Sequence, residues 1–332
     1  MSAAPEPGTR APGPTLDWAP QPWRRPLGDT GLTVTAATLG GAPLGSMPEV
    51  LGYQVAAEDA IDLVRRVLHS PIRTIDTANG YSGGESERRI GAAIRAEGGL
   101  PDDVLIITKV DAKGGDYSGD RVRRSVAESK ERLGLDTLPL VMLHDPEFFA
   151  FDQIAAPGGA VQTLQQLRAK GEIGHVGLAG GDTAVMQRYL DLGGFEVLLV
   201  HNRWTLVDHS AAELINSARS QGVAVINAAI YGGGLLANPE DGNSRYGYRE
   251  AKPATLSAVR EMAATCRRHG TDLATAALHA SIRDRQISTT VVGFSKPARL
   301  DALCSGLDHE LPDELFAELA ELLPPATNWL DS

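Results

Sequence analysis

Short apolar or β-branched runs alternate along the chain with stretches in which apolar residues recur every three or four positions, the period of a helix. The pattern predicts strands at 37–41 (ATLGG), 73–77 (RTIDT), 104–109 (VLIITK), 138–144 (LPLVMLH), 173–179 (IGHVGLA), 195–201 (FEVLLVH), 223–229 (VAVINAA) and 287–293 (ISTTVVG). It predicts helices at 56–70, 84–97, 119–134, 158–171, 182–192, 210–222, 254–269, 272–283 and 297–306. In the third of these, Val122, Val126, Ser129 and Leu133 share one face. Gly134, Gly171 and Gly222 stand where a helix C-terminus takes a left-handed residue. Eight units in strand-then-helix order imply a parallel sheet closed into a (β/α)8 TIM barrel, in the α/β class. The alternative, an open doubly wound sheet, lacks a GxGxxG turn after its first strand. Upstream, RRPLGDTGLTVTAATLG reads as a β-hairpin turning about Gly28-Asp29-Thr30-Gly31, placed to close the barrel bottom. Residues 1–22 are rich in Pro, Ala and Gly and read as a flexible arm outside a single domain spanning 23–332.

Charge narrows the function classes. Across 332 residues, 31 Lys and Arg face 42 Asp and Glu, a net charge of −11 with no basic stripe, which argues against a nucleic-acid partner. No apolar run nears the roughly 20 residues of a membrane span. The N-terminus has no apolar segment of a secretory signal. Two cysteines, Cys266 and Cys304, make no disulfide framework and read as buried thiols. The expectation is a cytoplasmic protein acting on a small molecule.

In such a barrel the functional groups lie at the C-terminal ends of the strands. Three neighbouring strands deliver Asp76 (with Tyr81 in the loop after it), Lys109 and His144 to one rim. Singly, each has an ordinary structural reading as a loop cap, a solvated charge or a packing residue. On adjacent strand ends they form an acid–base device. A phenol with a pKa of about 10 must come down by roughly 2–3 units, about 3–4 kcal/mol, to exchange protons near neutrality. The Lys109 ammonium is expected to lower it. Asp76 would hold that lysine charged, and His144 would donate a hydrogen bond where negative charge develops on a substrate oxygen. No HExxH, CxxC, ligand-spaced histidine cluster, P-loop or GxSxG is found, so no metal is expected.

RTIDTANGYSGGESERRIGAAI, VLIITK, LPLVMLHDPE and the opening GDTGLTVTAATLGGAPLG together resemble the aldo-keto reductase family across residues 24–322. GGAPLG and HDPE resemble most its branch of aldose and pyridoxal dehydrogenases. The resemblance implies NAD(P)-dependent hydride transfer between a nicotinamide and a carbonyl or carbinol carbon of an aldose or small aldehyde. Tyr81 would be the general acid and base, tuned by Lys109 and Asp76, with His144 orienting the substrate.

It also implies cofactor contacts at Gly41, Ala42, Gly180, His201, Ala228, Gly293, Phe294, Ser295 and Arg299. Four positions depart from the family pattern. Ala179 and Gly180 replace a Ser-Asn pair, leaving backbone groups or His201, itself in place of Gln, to hold the carboxamide, and Ala228 replaces a stacking aromatic, so that stacking is absent or comes from Tyr231 or Trp204. Gly293 stands where many NADP users carry Lys, whereas Lys296 and Arg299 suit a further phosphate; the cofactor is NADP or NAD, with NADP preferred as the family default. Pro43, Phe148 and Trp204 are expected at the substrate pocket, with Leu44, Met47, Phe149, Tyr246 and Tyr248. The altered nicotinamide contacts motivate an alternative, a weakly catalytic cofactor-binding barrel acting as a regulatory partner. A metal-dependent barrel isomerase or lyase is the third reading, and would need ligands at several strand ends.

Overall fold

A computed structural model describes residues 23–48 and 52–332. The arm expected at 1–22 lies outside the described residues. The chain opens with strands β1 (Arg24–Pro26) and β2 (Thr33–Thr35), paired antiparallel with Arg25 opposite Val34. Gly28 and Gly31 turn between them at φ 55° and 77°. β3 (Ala37–Gly40), α1 (Ala57–Leu68), β4 (Thr74–Asp76), α2 (Glu85–Ala96), β5 (Leu105–Val110) and α3 (Gly119–Leu133) follow. After β6 (Leu138–His144) come a short α4 (Phe151–Ala155) and α5 (Ala160–Ala169), then β7 (Ile173–Gly180), α6 (Thr183–Leu190), β8 (Val197–His201), α7 (Ala212–Ser220) and β9 (Ala224–Ala228). A small ribbon, β10 (Arg245–Tyr246) with β11 (Arg249–Glu250), interrupts the long loop before α8 (Pro253–Arg268), α9 (Leu273–Ile282), β12 (Thr289–Gly293), α10 (Pro297–Leu307) and α11 (Asp313–Glu321).

The eight parallel strands β3–β9 and β12 close into a barrel, with β12 hydrogen-bonded to both β9 and β3. Every predicted strand and helix is present. The side-chain period of two divides each strand between two cores. Leu105, Ile107, Leu140, Met142, Val197, Leu199, Ala224 and Ile226 fill the interior, joined by Leu27 and Val34 of the hairpin, which therefore plugs the bottom. Their neighbours Ile106, Val141, Val176, Leu198 and Val225 face the helices. Arg25 fastens the hairpin by donating to the carbonyls of Ile282 and Ile287 at 2.9 and 3.0 Å.

Three helix starts are capped by side chains: Ser118 accepts from Arg121 N, Asp182 from Val185 N and Asp272 from Thr275 N. α11 was not foreseen; it buries Leu315, Phe316 and Leu319 in a second cluster with α8 and α9. Cys266 is buried as expected, Cys304 only partly, and both are free thiols. No helix among the described residues is long and apolar enough to cross a membrane.

Candidate active site

The C-terminal rim carries the strain of the fold. All six non-glycine residues with positive φ among those described (Ser46, Ser82, Asp145, Asn202, Ala229 and Tyr248) lie in loops that leave the C-terminal ends of barrel strands. Such conformations cost about 1–3 kcal/mol each and cluster where a site demands them.

Within that rim the structure joins the four predicted residues. β5 alternates, so Thr108 points outward to the buried Glu87 (2.7 Å) while Lys109 points into the mouth, 1% exposed. The Lys109 ammonium donates to Asp76 Oδ1 at 2.7 Å, to the Thr77 carbonyl at 2.8 Å and to the Tyr81 hydroxyl at 3.2 Å. Three acceptors satisfy its three protons. Asp76 Oδ2 is buried without a hydrogen-bond donor among the described residues. The Tyr81 ring meets His144 edge-on, centroids 5.5 Å apart at 79°. Asp111, which the sequence did not single out, brings Oδ1 within 2.7 Å of His144 Nδ1. Tyr117 pins the histidine's main chain, its hydroxyl accepting from His144 N at 2.8 Å.

The expected lowering of the Tyr81 pKa is not what this environment produces. Burial pushes the phenol up, Lys109 pulls it down, and Asp76 pushes it up again, with the sum above the ordinary tyrosine value. Burial also opposes the Lys109 charge, but Asp76 and Tyr81 outweigh it and raise its pKa. For His144, burial lowers the pKa while Asp111 and Asp145 raise it, and the carboxylates prevail. Burial works against the Asp145 carboxylate, yet His144 and His201 draw it down to about 2. The quartet therefore rests as a neutral phenol beside an ammonium, with an imidazole biased toward its cation.

The rest of the rim carries the residues expected to meet a dinucleotide. In barrel order Gly293, Gly40, Asp76, Lys109, His144, Gly180, His201 and Ala228 lie at or next to their strand ends, and Gly41 and Ala42 follow β3. The missing side chain at Gly180 has a physical cause: a Cβ there would stand 2.3 Å from Met186 Sδ and 2.6 Å from Glu147 Oε2. Glu147 fills the place and accepts from Gly181 N at 2.6 Å through Oε1. Its Oε2, like Asp145 Oδ1, is buried without a hydrogen-bond donor among the described residues. Two orphaned acceptors suit the amino group of a carboxamide, which offers two N–H donors. Asp145, Glu147 and His201 also bring ligand atoms within 4.8 Å of one another, a grouping of metal-ligand types that sequence spacing did not suggest. At the other end, the turn after β12 leads straight into α10, where Lys296 and Arg299 are exposed and Ser295 Oγ donates to Tyr53 Oη at 3.1 Å. Backbone donors and exposed cations there suit phosphate.

The substrate residues divide. Pro43 lies beside Gly293, and Phe148 is 78% exposed at the rim. Trp204 does not belong with them. It is 4% exposed, donates from Nε1 to Asp284 at 2.8 Å and stacks on His209 at 4.5 Å. Tyr246 is likewise buried, donating to the Asn202 carbonyl at 2.6 Å. Both are packing residues that hold the rim from behind, as buried aromatics with a bonded polar atom do. The C-terminal tail adds a further brace, Asp331 pairing with Arg203 at 3.0 Å and accepting from Thr183.

Comparison with known proteins agrees with this geometry. Residues 38–324 match the model of the aldo/keto reductase family. The chain is 31% identical to the L-galactose dehydrogenase of Arabidopsis thaliana, the match covering 92% of this chain and 95% of that protein. It is 28% identical to the D-threo-aldose 1-dehydrogenase of a Pseudomonas species, over 88% of this chain and 94% of that one. The solved structure of an aldo-keto reductase from Bacillus halodurans has the same fold, with a TM-score of 0.75 at 20% identity over 92% of this chain and 98% of its own. The chain belongs to the aldo/keto reductase family and is an NAD(P)-dependent oxidoreductase.

Proposed function

We propose that this enzyme oxidises an aldose at its carbinol carbon, and reduces the corresponding carbonyl, with Tyr81, Lys109, Asp76 and His144 as its acid–base machinery. The observation that carries the reading is the Lys109 ammonium held between Asp76 and the Tyr81 hydroxyl at the barrel mouth. The bound nicotinamide supplies or takes up the hydride. The chain's own residues manage the proton. In reduction the neutral Tyr81 hydroxyl donates its proton to the substrate oxygen, and the phenolate left behind is stabilised by Lys109. His144 donates from Nε2 to the same oxygen and fixes its position. In oxidation the proton returns along the same path to the Tyr81 oxygen.

Asp145 Oδ1 and Glu147 Oε2 are assigned the carboxamide, in place of the absent Ser-Asn side chains. Lys296 and Arg299, exposed at the start of α10, favour a dinucleotide with the extra phosphate of NADP. The relatives named for L-galactose and D-threo-aldoses support a sugar as substrate. The test mixes the protein with NADP or NAD and L-galactose, L-fucose, D-arabinose or pyridoxal, and follows the absorbance of the reduced nicotinamide. Turnover of a sugar is expected. Tight dinucleotide binding with no turnover across the panel favours the regulatory barrel instead. Dissociation constants of both dinucleotides for wild type and Arg299→Ala decide the cofactor: Arg299→Ala should weaken NADP and leave NAD unchanged.

A further inference from the structure

Asp111 stands just beyond β5, two residues after Lys109, and one carboxylate makes two contacts from it. Oδ1 lies 2.7 Å from His144 Nδ1, and Oδ2 accepts from Gly80 N at 2.6 Å. Gly80 immediately precedes Tyr81. The approach is close enough to favour glycine at residue 80: a Cβ there would stand 2.8 Å from Asp111 Cγ. Asp111 is itself held, its N donating to Ser125 Oγ at 3.3 Å and its carbonyl accepting from Arg121 Nε at 3.2 Å. We infer that Asp111 is a positioning residue that sets the His144 ring and the Tyr81 loop against each other and fixes which nitrogen of His144 carries a hydrogen. The inference rests on the roles proposed above for Tyr81 and His144.

The proton inventory follows from donor chemistry. An ionised carboxylate only accepts, so Nδ1 keeps its hydrogen. In the neutral ring Nε2 is then a bare lone pair. Nε2 can donate to a substrate oxygen only when the ring is the imidazolium. The groups facing the ring are Asp111 and Asp145, which favour that cation, Lys109, which opposes it, and the Tyr81 ring at its edge. Asp145 Oδ2 lies 3.7 Å from Nε2, too far to take its hydrogen, so Nε2 remains the nitrogen free for substrate. Reduction should therefore fall as pH rises through the His144 titration.

Asp111→Asn separates this from a merely structural role. Its amide oxygen still accepts from Gly80 N, while its NH2 donates to His144 Nδ1. The neutral ring then carries its hydrogen on Nε2 at any pH above its titration. The experiment has two arms. In the first, 15N NMR of the imidazole follows His144 through pH in the full-length protein. Wild type should keep Nδ1 protonated throughout and lose the Nε2 hydrogen; Asp111→Asn should do the reverse. In the second, reductive kcat/KM is measured against pH. Wild type should show an alkaline fall that Asp111→Asn and His144→Gln both lack, with dinucleotide dissociation constants within about twofold of wild type. Asp111→Ala, which loses both contacts, should lower kcat by about 100-fold.

A wild-type Nδ1 without its hydrogen overturns the inference whatever the turnover. Ring tautomers as expected, but an unchanged alkaline fall in Asp111→Asn, overturns its catalytic half. Absence of any turnover in wild type, with the NMR result intact, instead strikes the proposed function.

Discussion

Lys109 stands between two oxygens, donating to Asp76 Oδ1 at 2.7 Å and to the Tyr81 hydroxyl at 3.2 Å. The ammonium lowers the phenol's pKa, the carboxylate behind it raises it, and burial, the largest influence, raises it further. In the proposed mechanism Lys109 therefore serves less to ionise the resting phenol than to receive the phenolate once its proton has gone. On that proposal the site holds a proton donor at rest, ready for reduction, and the cost of oxidation falls on Tyr81.

The Asp76–Lys109 pair lends itself to a double-mutant cycle. Lys109→Met leaves a buried carboxylate without its cation and should destabilise the protein by about 3–5 kcal/mol in urea unfolding. Asp76→Asn together with Lys109→Met should recover most of that stability and none of the activity. If both quantities recovered together, the pair would be structural only.

The assignment of the carboxamide to Asp145 and Glu147 is open to a chemical probe. The 3-acetylpyridine analogue of the cofactor has no amino group to donate. Hydrogen bonds to charged acceptors contribute about 1.5–3 kcal/mol, so wild type should bind the natural dinucleotide at least about tenfold more tightly. Asp145→Asn and Glu147→Gln should each narrow the gap, measured by fluorescence quenching. A gap equal in wild type and both variants would place the carboxamide elsewhere. If Mn2+ titrated into wild type bound stoichiometrically at these residues, the grouping with His201 would be a metal site.

Stability should also depend on His209. Burial between Trp204 and Trp329 pushes its pKa from 6.5 to about 4. Between those values the unfolded chain binds a proton that the folded chain refuses. Stability is therefore highest above about pH 6.5 and falls as pH drops toward 4, by at most about 3 kcal/mol from this residue. His209→Phe keeps the stacked ring and removes the titration. The difference in urea midpoint between the two proteins should grow in favour of the variant on acidification; a constant difference would contradict the shift.

The barrel was legible because short apolar or β-branched runs alternate with stretches of helical period eight times along the chain. The clustering of Asp76, Tyr81, Lys109 and His144 was legible because three successive strand ends carry Asp76, Lys109 and His144. What escaped were relations across the rim. Asp111 and His144 are 33 positions apart and meet only because β5 and β6 are neighbours. Glu147 fills the space at Gly180 from another strand's loop. Trp204 and Tyr246 read as pocket aromatics because loop position does not tell which way a ring turns. The direction of the Tyr81 shift depends on burial, which outweighs the neighbouring charge and is not written in residue spacing.

Tyr81→Phe tests the central claim most directly, because it removes one oxygen and leaves the ring against His144. Kinetics with sugar and dinucleotide, alongside the dinucleotide dissociation constant by fluorescence, should show kcat reduced by about 100-fold or more with dinucleotide binding within about twofold of wild type. Turnover within a few-fold of wild type would show that the proton travels by another group and would contradict the account.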